Sequence, residues 1–232
     1  MLAAALLAVF AVAALVATAV AGHAPRAGRA SPRPAARSSA APPAVAPPGA
    51  GAAPAAARPL PLVAGSRLVN GMYTWYPHSI AGAVSAAVEF VTELGSTLEP
   101  DRAATIARLA ADPSYSGAAQ AAALGAVSTR RQLGLPAAGP PPAGTAVLLV
   151  PVMYQLRNVT AGRLTVLLLF NYTETVPSGI REHLGVTAAH MNWTPAGWRL
   201  LPPARSDPSA PLATPGTADA TAKGWEAMTN AM

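Results

Sequence analysis

Few side chains in this sequence combine the residue types and the spacing that catalysis or metal binding requires. His183 and His190 are seven residues apart, so on a continuous strand they point to opposite faces and cannot share a metal ion. Glu182 and His183 are adjacent, which is compatible with a general acid/base pair on a loop or with two solvated loop residues. The other histidines are His23 and His78.

Sequence motifs give no further candidate for catalysis. The Gly-x-Ser-x-Gly elbow, the phosphate-binding loop, the dinucleotide fingerprint and His-Glu-x-x-His do not occur. Because the chain has no cysteine, disulfides, thiolate metal sites and a cysteine-linked lipid anchor are excluded. The sequence therefore predicts a protein that is not an enzyme and that has no catalytic residue, metal site or cofactor.

Two groups of polar and aromatic residues remain as candidates for binding. Glu89 and Glu93 are four residues apart on a predicted helix, a spacing typical of a solvated face, although a basic partner could also bind there. Trp193 and Trp198 flank a Pro/Gly turn, where we expect packing within a hairpin rather than a ligand box.

The first 22 residues predict an attachment to a membrane. Residues 2–22 carry no charged side chain, and as a helix they would span about 30 Å, the thickness of a bilayer core. The alternative is a signal peptide cut after Ala19-Val20-Ala21. Basic residues follow this segment, so the positive-inside rule favours a cytoplasmic domain. The Ala/Pro spacer favours the extracytoplasmic side, and we expect the folded domain to lie there.

Residues 23–64 predict a disordered linker. They consist almost entirely of Ala, Pro, Gly, Arg and Ser, without the apolar periodicity that a core requires. The chain has a formal net charge of +6, and five arginines without an acidic residue lie in this linker. A basic linker beside a membrane segment favours contact with anionic lipid, and we expect no direct binding of nucleic acid.

Residues 65–205 predict one α+β domain, and 206–232 a disordered tail. Helical periodicity, with Ser79 as a cap and Gly95 as a stop, predicts the first of three helices, which must cover one face of a sheet. Four strands follow, with Pro151 indicating an edge or a bulge in the first. The predicted helices span 79–95, 100–111 and 116–133, and the predicted strands span 145–157, 163–173, 184–193 and 198–201.

The order of these elements resembles an NTF2-like domain, with three helices packed on a curved four-stranded antiparallel sheet. The residues that carry the resemblance are 76–79 (Tyr-Pro-His-Ser) running into 82–84, and the closing hairpin 190–200 with its two tryptophans. The chain is similar in particular to membrane-anchored NTF2-like proteins of actinobacterial integrative and conjugative elements, which are related to the VirB8 and TcpC components of conjugation channels.

The resemblance implies a function that depends on protein contacts. Such proteins are structural parts of a conjugation or secretion apparatus in the cell membrane, so it implies single-pass anchoring, self-association and other apparatus proteins as partners. NTF2-like folds open a cone-shaped pocket before the first helix, where Trp75, Tyr76 and His78 would lie at the pocket mouth or pack the loop. The alternative function is a tethered ligand-binding module of an envelope lipid-transport system.

Overall fold

The computed structural model describes residues 58–204 and 211–229 of the 232-residue chain. The predicted membrane segment 1–22 and residues 23–57 of the predicted linker lie outside the described residues. The described part is α+β, as predicted, with four helices and a curled sheet. Its elements are β1 (Leu60–Pro61), β2 (Arg67–Val69), β3 (Met72–Thr74), α1 (Ile80–Gly95), α2 (Pro100–Ala110), α3 (Ala118–Gln132), β4 (Ala146–Arg157), β5 (Arg163–Val176), β6 (Gly179–Thr194), β7 (Gly197–Leu200), α4 (Ala218–Ala222) and β8 (Glu226–Thr229).

The first helix begins and ends as its sequence predicts. The Ser79 hydroxyl accepts the Gly82 N–H at 3.0 Å, which caps α1. Gly82 also lies against the carbonyl of Pro77, which a Cβ at this position would approach to 2.0 Å. Only glycine therefore lets the first turn pack so closely on the preceding loop.

The four predicted strands all belong to the larger sheet. β4, β5, β6 and β7 pair antiparallel in chain order, and the full order is β1-β8-β4-β5-β6-β7. The sheet therefore has six strands in the described residues, and not the predicted four. β2 and β3 form a separate two-stranded hairpin.

The hairpin of β5 and β6 is longer than predicted. Pairing continues without a break from Arg163 and Asn192 to Val176 and Gly179, so a two-residue turn at 177–178 connects the strands. The prediction that Glu182 and His183 lie on a loop is wrong, because both belong to β6. Polar residues dominate this end of the hairpin, and their composition is typical of a loop when pairing is unknown.

Pro151 coincides with the irregularity that it predicts. The register of β4 against β5 shifts between Pro151 and Met153, so Val152 is the extra residue of a bulge. β8 pairs with β4 only at Met153 and Tyr154. Pro151, which has no N–H to donate, therefore lies where β4 is an edge strand.

α1 and α2 cover one face of the sheet, as predicted, whereas α3 packs mainly against α2. α1 and α2 bury their apolar sides against alternate residues of β4, β5, β6 and β7. Residues in this core include Phe90, Ile106, Leu168, Met191 and Trp198, which are all almost fully buried.

The second face of the sheet is covered by the C-terminal segment. Leu167 and Leu169 of β5 pack with Met153, Ala213 and Trp225 in a separate cluster. The prediction of a disordered tail over 206–232 is therefore wrong for residues 211–229. Its composition is typical of a tail, but one buried tryptophan and an apolar strand face provide a driving force that local sequence does not show.

Polar contacts fix this segment in register. The Trp225 indole N–H donates to the Pro211 carbonyl at 2.9 Å, and the Tyr154 hydroxyl donates to a Glu226 carboxylate oxygen at 2.8 Å. The Leu62 N–H donates to the Thr229 carbonyl at 2.9 Å. The predicted linker boundary at residue 64 is accordingly too late, since β1 pairs parallel with β8.

We expect Trp225→Ala to lower the free energy of unfolding by about 3–5 kcal/mol, because it empties a fully buried position. Urea unfolding of the full chain, followed by circular dichroism, measures this loss. Leu212→Ala, a partly exposed position in the same segment, is the matched control and should cost less than about 1 kcal/mol. Equal losses in both variants would show that the segment does not complete the core.

Candidate functional site

A tight hairpin lies beside the second half of α1, where Glu89 and Glu93 are located. Asn70 and Gly71 form its two-residue turn, and both have positive φ values, 50° and 77°. An Asn-Gly pair between short strands is typical of a type I′ hairpin. Sequence analysis missed β2 and β3, although this dipeptide is the signal that could have found them.

Glu89 and Glu93 clamp this hairpin to the helices. A Glu89 carboxylate oxygen accepts the Tyr73 N–H at 2.7 Å. The Arg102 guanidinium donates to Glu93 at 2.5 Å and also to the Asn70 carbonyl. The face that carries the two carboxylates is therefore not freely solvated, and Glu93 finds its basic partner within the chain.

Tyr76 belongs to the core and not to a pocket mouth. It is almost fully buried and meets Phe90 edge to face, with ring centroids 6.2 Å apart. Burial raises the pKa of the Tyr76 hydroxyl far above its ordinary value, and the charge of Glu89 raises it further. Burial also raises the pKa of Glu89, an effect that the Tyr73 N–H opposes and the charge of Glu93 increases.

His78, Trp193 and Trp198 form an aromatic triad. The His78 ring stacks on Trp193 at 4.2 Å with an interplanar angle of 5°, and it meets Trp198 edge to face at 5.6 Å. The two tryptophans, paired across β6 and β7, are 5.4 Å apart. The triad joins the start of α1 to the closing hairpin of the sheet.

Hydrogen bonds hold two members of the triad in place. The Trp198 indole N–H donates to the Pro77 carbonyl at 3.0 Å. His78 Nε2 lies 2.7 Å from the Ala161 carbonyl oxygen, so that nitrogen carries the proton and donates. These contacts fasten three segments together.

Trp75 lies next to the triad but faces outward. It has a φ of 62°, and a Cβ on Gly197 would lie 3.3 Å from the Trp75 Cα, so the hairpin turn packs on its backbone. The Arg67 guanidinium carbon lies 4.2 Å from the Trp75 ring centroid. This cation–π contact leaves a partly exposed indole on the surface.

A buried carboxylate that sequence analysis missed joins α2 to the sheet. Asp112 accepts from the Ser114 N–H at 2.9 Å, the Ser114 hydroxyl at 2.6 Å and the Asn192 amide at 2.8 Å. Burial acts to raise the pKa of Asp112, but these hydrogen bonds and the charge of Arg163 lower it below its ordinary value. The Asp-Pro-Ser sequence that follows α2 is typical of an Asx-turn, and this local signal could have identified the residue.

Arg130 is a second residue whose position the sequence did not reveal. It is fully buried, and its guanidinium donates only to main-chain carbonyls in the described contacts. Its acceptors are Leu98, Pro136, Ala138 and Gly139. Because the Pro-rich loop has few N–H donors of its own, the guanidinium supplies the hydrogen bonds that its carbonyl oxygens need.

The two strand histidines lie on opposite faces of β6, as predicted. The pairing of β6 with β5 is continuous between them, so seven residues reverse the side-chain direction. His183 Nε2 lies 3.8 Å from Glu174, and His190 Nδ1 lies 2.9 Å from the Thr165 hydroxyl. Within residues 58–204 and 211–229, no three metal-ligating side chains form a group.

No protein-family model, curated protein or solved structure matches this chain. In the part of the chain that the structure describes, no helix has both the length and the apolar character needed to cross a membrane.

We expect Glu89→Gln to stabilise the chain at neutral pH, because it keeps an acceptor for the Tyr73 N–H and removes a half-buried charge. A pKa raised by folding means that ionisation costs folding stability. That cost is present at neutral pH and disappears as the pH falls below about 4.3, the ordinary value for glutamate. The gain from Glu89→Gln should therefore disappear over the same range.

Urea unfolding of both chains between pH 3 and pH 8 measures this difference. The matched variant Glu89→Leu also removes the charge but leaves the N–H without its acceptor, and should be about 1 kcal/mol less stable than Glu89→Gln. A loss of stability in Glu89→Gln at neutral pH would contradict the conclusion that the ionised carboxylate of Glu89 destabilises the folded chain.

Proposed function

We propose that this chain is a membrane-anchored NTF2-like protein that serves as a non-enzymatic structural component of a conjugation- or secretion-type apparatus. The α+β architecture, with α1 and α2 on one face of a curled sheet, supports the NTF2-like assignment. Residues singled out for chemistry form internal contacts, which supports a structural role.

The observation that carries this proposal is an exposed apolar surface on the hairpin of β2 and β3. Leu68 and Tyr73 lie directly opposite each other and are 61% and 44% exposed, and Trp75 is 37% exposed. These three residues are called the hairpin patch below. An apolar cluster of this kind on a soluble surface is typical of a protein contact.

The hairpin patch is held on a rigid base. Its strands are joined by a tight turn, and Glu89 and Arg102 bind its backbone to α1 and α2. A preorganised surface loses little conformational entropy when a partner binds. Tryptophan, tyrosine and arginine are also the residues enriched in the energetic centres of protein interfaces, and Arg67 lies over Trp75.

A photo-crosslinking amino acid at Leu68 tests this function in the cell that carries the chain. We expect it to capture membrane-apparatus proteins, which mass spectrometry of the covalent products identifies. The same amino acid at Val159, which is 49% exposed on the turn between β4 and β5, is the control and should give at least about tenfold less product.

Two results would contradict the proposal. Equal capture at Leu68 and Val159 would show that the hairpin patch has no special role in contacts. Native mass spectrometry of the purified chain that reveals a stoichiometric lipid would favour the alternative, a tethered ligand-binding module. Neither result depends on knowing the partner in advance.

The proposed location is the cell membrane, with the folded domain on the extracytoplasmic side. The apolar run 2–22 and the Ala/Pro spacer support it. We expect an alkaline phosphatase fused after Met232 to be active and a cytoplasm-only fluorescent protein at the same place to be dark. Fluorescence without phosphatase activity would show that the positive-inside orientation applies and that the location is wrong.

A further inference from the structure

β6 has one edge that is paired over only a quarter of its length. β5 pairs with it from Gly179 to Asn192, whereas β7 pairs with it only from Met191 to Thr194. Between residues 180 and 189, no strand of the described chain lies on the β7 side. Ten residues of backbone are therefore open to a further strand.

The hydrogen bonds at the end of β6 show which residues point their backbone outward. The Trp193 N–H donates to Gly162, just before β5, and the His190 carbonyl accepts from Leu201, just after β7. Backbone groups alternate along a strand, and no bulge interrupts the pairing of β6 with β5. The even-numbered residues therefore present their N–H and C=O groups to the open edge. These residues are Ile180, Glu182, Leu184, Val186 and Ala188.

The edge of β7 is blocked. Ala111 forms a parallel bridge with Leu200, and the Asp112 N–H donates to the Leu200 carbonyl at 2.8 Å. The hydrogen bonds that hold the Asp112 carboxylate keep this segment in place.

The edge of β4 is also protected. The Leu149 N–H donates to the Ser96 hydroxyl at 2.9 Å, Pro151 has no N–H, and β8 pairs with the next residues. Proline, bulges and covering segments are the devices by which proteins prevent edge pairing.

The open edge of β6 has none of these devices. Residues 183–189 contain no proline and no Asp, Glu, Lys or Arg, and the pairing with β5 contains no bulge. Leu184, Val186 and Ala188 are half-buried against the cluster of Trp225 on the second face of the sheet. An added strand would therefore complete both the hydrogen bonding and the apolar cover of β6.

We propose that a second copy of this chain binds at this edge, with β6 pairing antiparallel to β6 of the other copy about a two-fold axis at Gly185. This inference rests on the self-association that the proposed function includes. Pairing about Gly185 places Leu184 opposite Val186 and Glu182 opposite Ala188, each a pair with outward-pointing backbone groups. Such pairs exchange both of their hydrogen bonds.

Charge and composition favour a second copy in this orientation. Arg181 and Glu182 are the only Asp, Glu, Lys or Arg residues of β6 before residue 190, and the two-fold arrangement sets them opposite alanines. Parallel pairing in register would place like charges opposite each other, which destabilises a sheet. The Pro-rich residues 23–57 are poorly suited to this edge, because proline cannot donate to a ladder.

Gly185 suits the axis because it has no side chain. On the first face of the sheet, a Cβ at Gly185 would lie 2.5 Å from the Phe170 ring, so the ring already occupies that space. The aromatic ring covers the glycine from within the chain, and the two glycine backbones of a dimer can approach closely.

Disulfide crosslinking of the full chain tests the interface, since the native sequence has no cysteine. We expect the double variant Leu184→Cys/Val186→Cys to form a covalent dimer under mild oxidation, because opposite residues in such a pair lie within disulfide reach. The matched control is Leu148→Cys/Val150→Cys. These residues lie on β4 with the same spacing, are 50% and 42% exposed, and should not crosslink.

A second measurement removes one backbone donor. Val186→Pro deletes an N–H that points to the edge and leaves the ladder with β5 intact, so we expect the dimer Kd to rise at least about tenfold. Val186→Thr keeps the N–H and the branched shape and should change Kd by less than about threefold. Sedimentation of the full chain in mild detergent measures Kd, and circular dichroism checks folding.

The outcomes separate this inference from the proposed function. A self-associated chain that gives no crosslink at 184 and 186, and that is unaffected by Val186→Pro, would overturn the interface and leave the structural role standing. A full chain that stays monomeric at every concentration would overturn the interface and also the self-association in the proposed function. Crosslinking at the control pair as well would show that the contact is not specific to the edge.

Discussion

β5 is apolar on both faces, and the arrangement of the other elements depends on covering both. Val166 and Leu168 face the helices, and Leu167 and Leu169 face the C-terminal segment. A strand with two apolar faces is stable only between two layers. Helices α1 and α2 supply one layer, and α4, β8 and the indole of Trp225 supply the other. The C-terminal segment has little apolar surface of its own, so its order depends on the face that β5 presents.

This requirement also determines where the two ends of the described chain meet. β8 must cross to the edge of β4 to bring Trp225 over β5, and β1 then pairs with β8, so Leu60 lies beside Met228. The first described strand therefore lies at the β1 edge of the sheet. The open edge of β6 lies on the opposite side of β5 in the strand order. The ends of the described chain therefore meet at the side of the sheet that lies away from β6.

The sequence predicts the elements whose signals are local. Helix α1 follows from its apolar periodicity and the cap at Ser79, and the four central strands follow from runs rich in Val, Leu and Phe. The C-terminal segment could not be predicted in this way, because its driving force lies on a strand more than forty residues earlier in the chain. The polar half of the β5 and β6 hairpin was not predicted for a related reason, because its strand structure comes from pairing between the two strands and not from its composition.

The candidate site shows the same division between local and distant signals. Spacing places Glu89 and Glu93 on one side of α1, but it does not indicate that a hairpin sixteen residues earlier returns to meet them. The residue types of His78, Trp193 and Trp198 suggest a binding site. In the structure their rings pack together and connect the start of α1 to the sheet. These residues are held by internal contacts, whereas the hairpin patch and the open edge of β6 are two surfaces that have no counterpart in the described chain. Both lie on strands that hydrogen bonds hold rigid, which is the property that a repeated structural contact requires.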